Sequence, residues 1–409
     1  MKRNDHARFL RRGLFLALAV LLGCPSTPEP ALSVGVLLPR TGQLADSGGH
    51  GESAAIMAAE RINLAGGLAG QPLSLMVKDT RSDAKFGKGA ARSLVDSSLL
   101  GVLGPEEEDV AETLALLARD KQLVQISGGV TSPRFTTLDD GGYFFRTCPS
   151  SLVTATALSQ RMYQDGMRRV SFLYVPNDFG SAFVASAAVA FQSAGGALVA
   201  QGTAAPVSVQ PDEHDFRELL SPLLGLEPDA LMLATDPVTG ARLVRDWGLL
   251  GGRGRLYFAP TLMTEVFVRE VPAGSIEGMV GVSALSGSSA DAFAQAYADW
   301  SGELPAQAAY FYYDAMALLG LAIEKAHREA GALPTGAQIR AALPSVSGPP
   351  GEPVRWNELE RGLDLVRAGE EIDYQGASGE VNLDERGDVA LERVDFWTVR
   401  GRSIVRETR

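Results

Sequence analysis

Four consecutive acidic residues, Glu106-Glu107-Glu108-Asp109, follow the apolar run LGVLGP and open a helical pattern. Carboxylates in the first turn of a helix are stabilised by its dipole, by about 0.3–1 kcal/mol each. The same run also sets a carboxylate at the end of a strand, where ligands of open α/β sheets sit. Both readings stand at this level. No set of residues for bond-making chemistry accompanies it. The chain has no GxSxG elbow, no GxxxxGK[ST] loop and no histidine beside a Ser or Cys nucleophile. Its four histidines, His6, His50, His214 and His327, are scattered, and neither HxxxH nor CxxC occurs, so neither a metal nor a cofactor is expected. The glycine cluster Gly248–Gly254 follows a helical stretch and precedes a strand. A phosphate cradle needs the opposite order, so a helix end and turn is the better reading.

Charge and composition narrow the class further. The 409 residues carry a net charge of −12, and five of the basic residues lie before Gly23. The remainder is strongly acidic, with no basic stripe for nucleic acid. Lys2, Arg3, Arg8, Arg11 and Arg12 precede the apolar run Gly13–Gly23, which is about half the ~20 residues needed to span a bilayer. That is an export leader. Leu21-Leu22-Gly23-Cys24 resembles a bacterial lipoprotein signal, which implies cleavage before Cys24 and lipid on its thiol. An ordinary secretory signal is the alternative. Residues 24–32, containing PSTPEP, form a stiff tether. Cys148 then has no partner thiol, and its plain reading is a small buried residue.

The elements that must position such residues alternate in type. Ser33–Leu38 is an apolar run suited to a strand buried on both faces. A polar loop follows, and from about Ser53 the spacing of Ala55, Ala59 and Ile62 predicts a helix. Strand-like runs recur near Leu73–Val77, Leu99–Leu103, Leu123–Ile126 and Tyr143–Arg146, separated by helical stretches. A second alternating block runs from about Leu152 to Ala259. From Ala290 the pattern is mostly helical, led by Ala306–Glu329, and two strand-like runs, Glu380–Leu383 and Val394–Val399, close the chain. Two βα blocks of similar length predict an α/β protein with two doubly wound lobes.

Eight segments, in order, resemble the type I periplasmic binding proteins, specifically the branched-chain amino acid receptors of ABC importers. They are VGVLLPRTGQLADSG, AAERINLAGGLAG, MVKDTRSD, GVLGP, ISGGVTSPRFT, YFFRTCPSS, YVPNDFG and IDYQGASGEVNLDERGDV. The resemblance implies two Rossmann-like lobes joined by three hinge crossings, near Cys148–Ser151, Gly278–Val282 and Gly376–Val381. Lobe one would comprise residues 33–149 and 283–375, and lobe two residues 150–282 and 376–409. In such relatives the carboxylate of an amino acid is held by hydroxyls and backbone N–H groups. The Ser-x-x-x-Thr turn is present as Ser127-Gly128-Gly129-Val130-Thr131, but Glu108 aligns with the serine expected after the third strand. Ser47 replaces an aromatic of the first loop, and Phe179 keeps the aromatic of YVPNDFG. Asp236 and Thr261 align with the tyrosine and ammonium-binding glutamate of lobe two.

The resemblance thus implies an exported, lipid-anchored solute-binding protein, not an enzyme, that closes on a small ligand and passes it to an ABC permease. A lipoprotein scaffold with the same fold and a degraded cleft, docking a protein, is the alternative from another class. If Glu108 and Asp236 face the cleft from opposite lobes, a ligand carboxylate meets like charge. At 4 Å that repulsion is ~4 kcal/mol at an effective dielectric of 20, against ~0.5–1.5 kcal/mol for each neutral hydrogen bond. A plain branched-chain amino acid is then expected to bind poorly, and a cation, amide or polyol better.

Overall fold

A computed structural model of the chain describes residues 31–200, 205–287, 289–390 and 394–407. The leader, Cys24 and the tether as far as Pro30 lie outside the described residues. The first block is β1 (Leu32–Leu38), α1 (Ala45–Leu64), β2 (Leu73–Asp79), α2 (Ala84–Val95), β3 (Val102–Leu103), α3 (Glu108–Lys121), β4 (Gln125–Ser127) and β5 (Phe144–Arg146). Its strands form one sheet in the order β2-β1-β3-β4-β5, and every neighbouring pair is parallel. Alternation along β1 explains why both faces are covered. Val34, Val36 and Leu38 enter the large core, while Leu37 points to the cluster built by α2 and α3. Burying each such side chain contributes ~1.5–3 kcal/mol.

The second block is α4 (Ser151–Gln164), β6 (Arg169–Tyr174), α5 (Asp178–Ser193), β7 (Ala197–Leu198), β8 (Val207–Ser208), α6 (Arg217–Leu224), β9 (Ala230–Ala234), α7 (Pro237–Leu249), β10 (Arg255–Phe258), α8 (Glu265–Glu270) and β11 (Val280–Val282). Along β9, Leu231 and Leu233 face the cluster under α6, α7 and α8, whereas Ala230, Met232 and Ala234 face the one under α4 and α5. The chain then returns to lobe one as α9 (Ser289–Ser301), α10 (Gln307–Ala330), α11 (Gly336–Ser347), β12 (Glu352–Arg355), α12 (Leu359–Ala368) and β13 (Ile372–Gln375). Finally β14 (Phe396–Arg400) pairs antiparallel with β11, and β15 (Ser403–Glu407) with β14, on the edge of the second sheet.

Several sequence expectations shift. The helix after β1 begins at Ala45, eight residues before the position the apolar spacing indicates. Its start is rich in glycine, a poor helix former, but the absence of a side chain at Gly48 lets the first turn close on Pro39. Helix α10 is buried around its whole circumference from Ala308 to Glu324. Glu380–Leu383 is no strand; it carries only single bridges to Gln375 and Val389.

The lobe boundaries move as well. The first passage runs through 147–150, between β5 and α4. The second lies after Ser283, because Val280–Val282 is β11 of the second sheet, while Leu285 and Ala290 already belong to the core of lobe one. The third is not at Gly376–Val381. Ala377, Val381, Leu383 and Val389 all pack in lobe one. Buried Asp314 of α10 holds this segment there, accepting hydrogen bonds from Ala377 N–H (2.7 Å) and from Ser378 N–H (2.9 Å) and Oγ–H (2.6 Å).

Candidate ligand-binding cleft

The carboxyl ends of β3 and β4 carry the groups of greatest interest. Gly104 ends β3 with a φ of +98°, and a Cβ there would lie 2.1 Å from the Leu37 carbonyl oxygen. Only glycine fits this turn. Pro105 follows, and α3 begins at Glu108, so Glu106 is set ahead of the helix. Its side chain crosses to α1, where Ser47 Oγ–H donates to Oε1 at 2.9 Å. It also rests on Gly129, where a Cβ would come within 2.7 Å of its Cγ. Glu106 is half-buried, and burial lifts its carboxyl to about 8 despite the hydrogen bond from Ser47, with Glu107 and Asp46 adding like charge.

The other members of the acidic run point elsewhere. Glu107 accepts from the Thr80 hydroxyl at the end of β2, away from Ser47. Glu108, the carboxylate the aligned sequence assigns to the cleft, is only 9% exposed and accepts from Arg134 Nε–H at 3.1 Å. The carboxylate beside Ser47 and Gly129 is therefore Glu106. Glu108 nevertheless stands where the lobes meet. Its backbone N–H, at the start of α3, donates to Asp178 Oδ2 at the start of α5 in lobe two, at 3.2 Å. Burial raises the Glu108 carboxyl to about 7, Asp178 raises it further, and Arg134 opposes both.

The Ser127–Thr131 turn is built inward. Ser127 Oγ–H donates to the Pro105 carbonyl at 2.7 Å, and the oxygen accepts from Gly129 N–H (3.2 Å) and Val130 N–H (3.1 Å). That saturates a hydroxyl, so Ser127 shapes the turn rather than reaching a ligand. Thr131 and Gly129 remain partly exposed, and the Thr131 carbonyl accepts from Ser151 N–H at the first passage between lobes. Arg146, which aligned motifs do not single out, braces the turn from behind. No part of it is exposed; it pairs with Asp388 through Nε (2.7 Å) and Nη2 (2.9 Å), and Nη1 donates to the Ser132 and Val130 carbonyls. Its burial within the strand-like YFFR segment was the available signal, since a buried arginine requires partners. Cys148 is 1% exposed, its Sγ–H donates to Val130 O, and burial pushes the thiol up to about 12, so it is inert.

In lobe two, Phe179 opens α5 and stacks on Phe183 with ring centres 5.4 Å apart. Asp236 caps α7, its Oδ1 accepting from Val238 N–H (3.1 Å) and Thr239 N–H (2.9 Å). Thr261 Oγ–H donates to the Thr235 carbonyl at 2.7 Å. These three lie at the carboxyl ends of β6, β9 and β10. Asp236 and Thr261 are tied into the backbone, as a cap and a loop staple. Among the described residues, no group of three or more His, Cys, Asp or Glu side chains is disposed to hold a metal ion.

Two doubly wound lobes that touch at the carboxyl ends of their strands define a bilobal binding protein. A family model described as periplasmic binding protein matches residues 31–359, and the chain belongs to that family. It is 28% identical over 393 residues to the chemotactic signal transduction system substrate-binding protein BasB of Halobacterium salinarum, spanning 90% of this chain and 86% of that one. Leu/Ile/Val-binding protein homolog 3 of Brucella melitensis is 24% identical over 249 residues, 58% of this chain and 66% of the homolog. Among solved structures, the leucine binding protein LivK of Thermotoga maritima superposes with a TM-score of 0.73 at 21% identity, over 92% of this chain and 98% of that one. LivJ of Streptococcus pneumoniae, solved with isoleucine, gives 0.73 at 18% identity, over 92% of this chain and 99% of its own. These structures share the two-lobed fold.

Proposed function

We propose that the chain is an exported solute-binding protein that closes its two lobes on a small polar ligand and delivers it to an ABC permease. It works on the periplasmic side of the cell envelope, held to the membrane by lipid on Cys24, and performs no chemistry on its cargo. The observation that carries this reading is the hydrogen bond from Glu108 N–H to Asp178. It joins the lobes at the strand ends that present Ser47, Glu106, Gly129 and Thr131 on one side and Phe179 on the other. A ligand between those ends is shielded from water only when both lobes contribute. The similarity to BasB favours a second reading, in which the closed form is recognised by a chemotactic signalling partner instead of a permease.

One preparation tests the reading. Cys24→Ser removes the lipidated thiol and moves the protein to the soluble fraction, because a lipid-held protein needs its acyl chains to stay on the membrane. That soluble protein is then melted in the presence of amino acids, amides, amines, polyamines and sugars. A compound that binds the native state alone raises the melting temperature by mass action. Stabilisation by a small molecule is expected. A soluble wild type contradicts the anchor, and no stabilisation by any compound favours a scaffold that docks a protein.

A further inference from the structure

The Ser127–Ser132 turn is fastened by the very segment that leaves lobe one for lobe two. Thr147 N–H donates to the Ser127 carbonyl at 3.0 Å, Cys148 Sγ–H to Val130 O at 3.3 Å, and Ser151 N–H to Thr131 O at 2.7 Å. Ser151 is the first residue of α4, whose Ala155 and Leu158 lie in a core of lobe two. A backbone hydrogen bond therefore runs from partly exposed Thr131 to the first helical turn of the other lobe. Carbonyls of a surface loop ordinarily face water. Here they are held by the connection between lobes.

Arg146 completes the arrangement from within. It lies opposite Ser127 in the parallel pair of β4 and β5, and no part of it is exposed. A guanidinium carries five N–H donors in a fixed fork, and each has an acceptor here. Nε–H goes to Asp388 Oδ1, Nη2 to Asp388 Oδ2 and to Thr136 Oγ (2.8 Å), and Nη1 to the carbonyls of Val130 (3.3 Å) and Ser132 (2.9 Å). The Thr136 hydroxyl in turn donates to Asp388 Oδ2 at 2.6 Å. Segment 384–388, which precedes β14 in the chain, is pressed on β5 by Arg146 N–H to Gly387 O at 2.9 Å. Gly387 has a φ of +77°, and a Cβ there would lie 2.3 Å from the Phe144 carbonyl oxygen, so only glycine fits. With every donor engaged and the whole side chain buried, Arg146 acts on a ligand only through the turn.

We infer that Arg146 is a positioning residue for ligand capture. It makes the Val130–Ser132 backbone and the connection to α4 one unit, so that a ligand seated at Gly129 and Thr131 bears directly on the hinge. The inference rests on the solute-binding reading above and names the residue that couples the occupied turn to closure. Lysine is no substitute. An ammonium has three donors and no fork, so Arg146→Lys keeps the charge beside Asp388 but cannot make all five bonds.

The test uses the soluble Cys24→Ser protein without ligand. Its remaining thiol, Cys148, is 1% exposed, so nitroxide labels are directed to Leu116→Cys on α3 and Val189→Cys on α5, both exposed positions. Double electron–electron resonance then reads the distance between lobes, and hydrogen exchange reads the amides of Gly129, Val130, Thr147 and Ser151. In Arg146→Lys these amides are expected to exchange about tenfold faster relative to those of β9, and the interlobe distance distribution is expected to widen. Thr136→Val removes one hydroxyl from the network and nothing from the turn. It keeps the test decisive if Arg146→Lys does not fold, with the same amides about threefold faster. Exchange at the turn that is unchanged, or accelerated no more than in β9, overturns the inference, because a general loss of stability speeds both alike. So does an unaltered distance distribution. Neither measurement involves a ligand, so these outcomes leave the solute-binding reading standing. Failure of every compound in the melting screen removes that reading, and the inference with it.

Discussion

Glu106 and Glu108 are two carboxyls two residues apart with different surroundings. Glu108 has Arg134 at 3.1 Å, whereas among the described residues Glu106 is met by the neutral hydroxyl of Ser47. Both are lifted above the ordinary 4.5 by burial, to about 7 and about 8 respectively. The folded protein thus holds protons that the unfolded chain releases. Their contribution to stability is complete below the unfolded value and is lost as pH rises through 7 and 8. The ligand-free melting temperature is therefore expected to fall between about pH 5 and about pH 8.5, and to fall less in Glu106→Gln. An equal decline in both proteins, followed by differential scanning fluorimetry, contradicts this placement of Glu106. The acidic run after LGVLGP marks this strand end in the sequence, and the resemblance points to Glu108 there, whereas the carboxylate that meets Ser47 and Gly129 is Glu106. The physical reason is that α3 starts at Glu108 with Glu107 as its N-cap, so Glu106 lies ahead of both and its side chain turns toward α1.

Elements with strong patterns were readable, and those shaped by their neighbours were not. The apolar run of β1 needed no context, since a strand covered on both faces is apolar at every position. The glycine-rich start of α1 and the short parallel pair β12–β13 have no such signature; both exist because surrounding helices hold them. The resemblance implies that residues from 376 onward belong to lobe two, but Asp314 and Arg146 bind segment 376–389 to lobe one. Arg146 also holds the carbonyls of Val130 and Ser132, so one side chain joins this segment to the turn that faces the cleft. Removing one partner of a buried ion pair costs about 3–5 kcal/mol, because the other is left uncompensated. Arg146→Met is expected to lower the urea midpoint by a corresponding amount. A loss below about 1 kcal/mol, the size of an exposed pair, contradicts the bracing role.

At the scale of the whole molecule, the polar contact of α3 with α5 meets across the gap between the lobes. The Asp178 side chain is exposed, and its bond to Glu108 N–H is a single charge-assisted contact at a helix start, of about 1.5–3 kcal/mol before the repulsion from the Glu108 carboxylate is set against it. One such contact does not lock two lobes, each with its own core, into a fixed arrangement. In the proposed function it gives closure a stopping point, one that a ligand touching both sides would stabilise. The central claim is that binding and closure are one event. Small-angle scattering of the soluble protein, alone and with a saturating concentration of a compound that raises its melting temperature, tests that claim most directly. The radius of gyration is expected to fall on binding; an unchanged radius with the ligand demonstrably bound contradicts it.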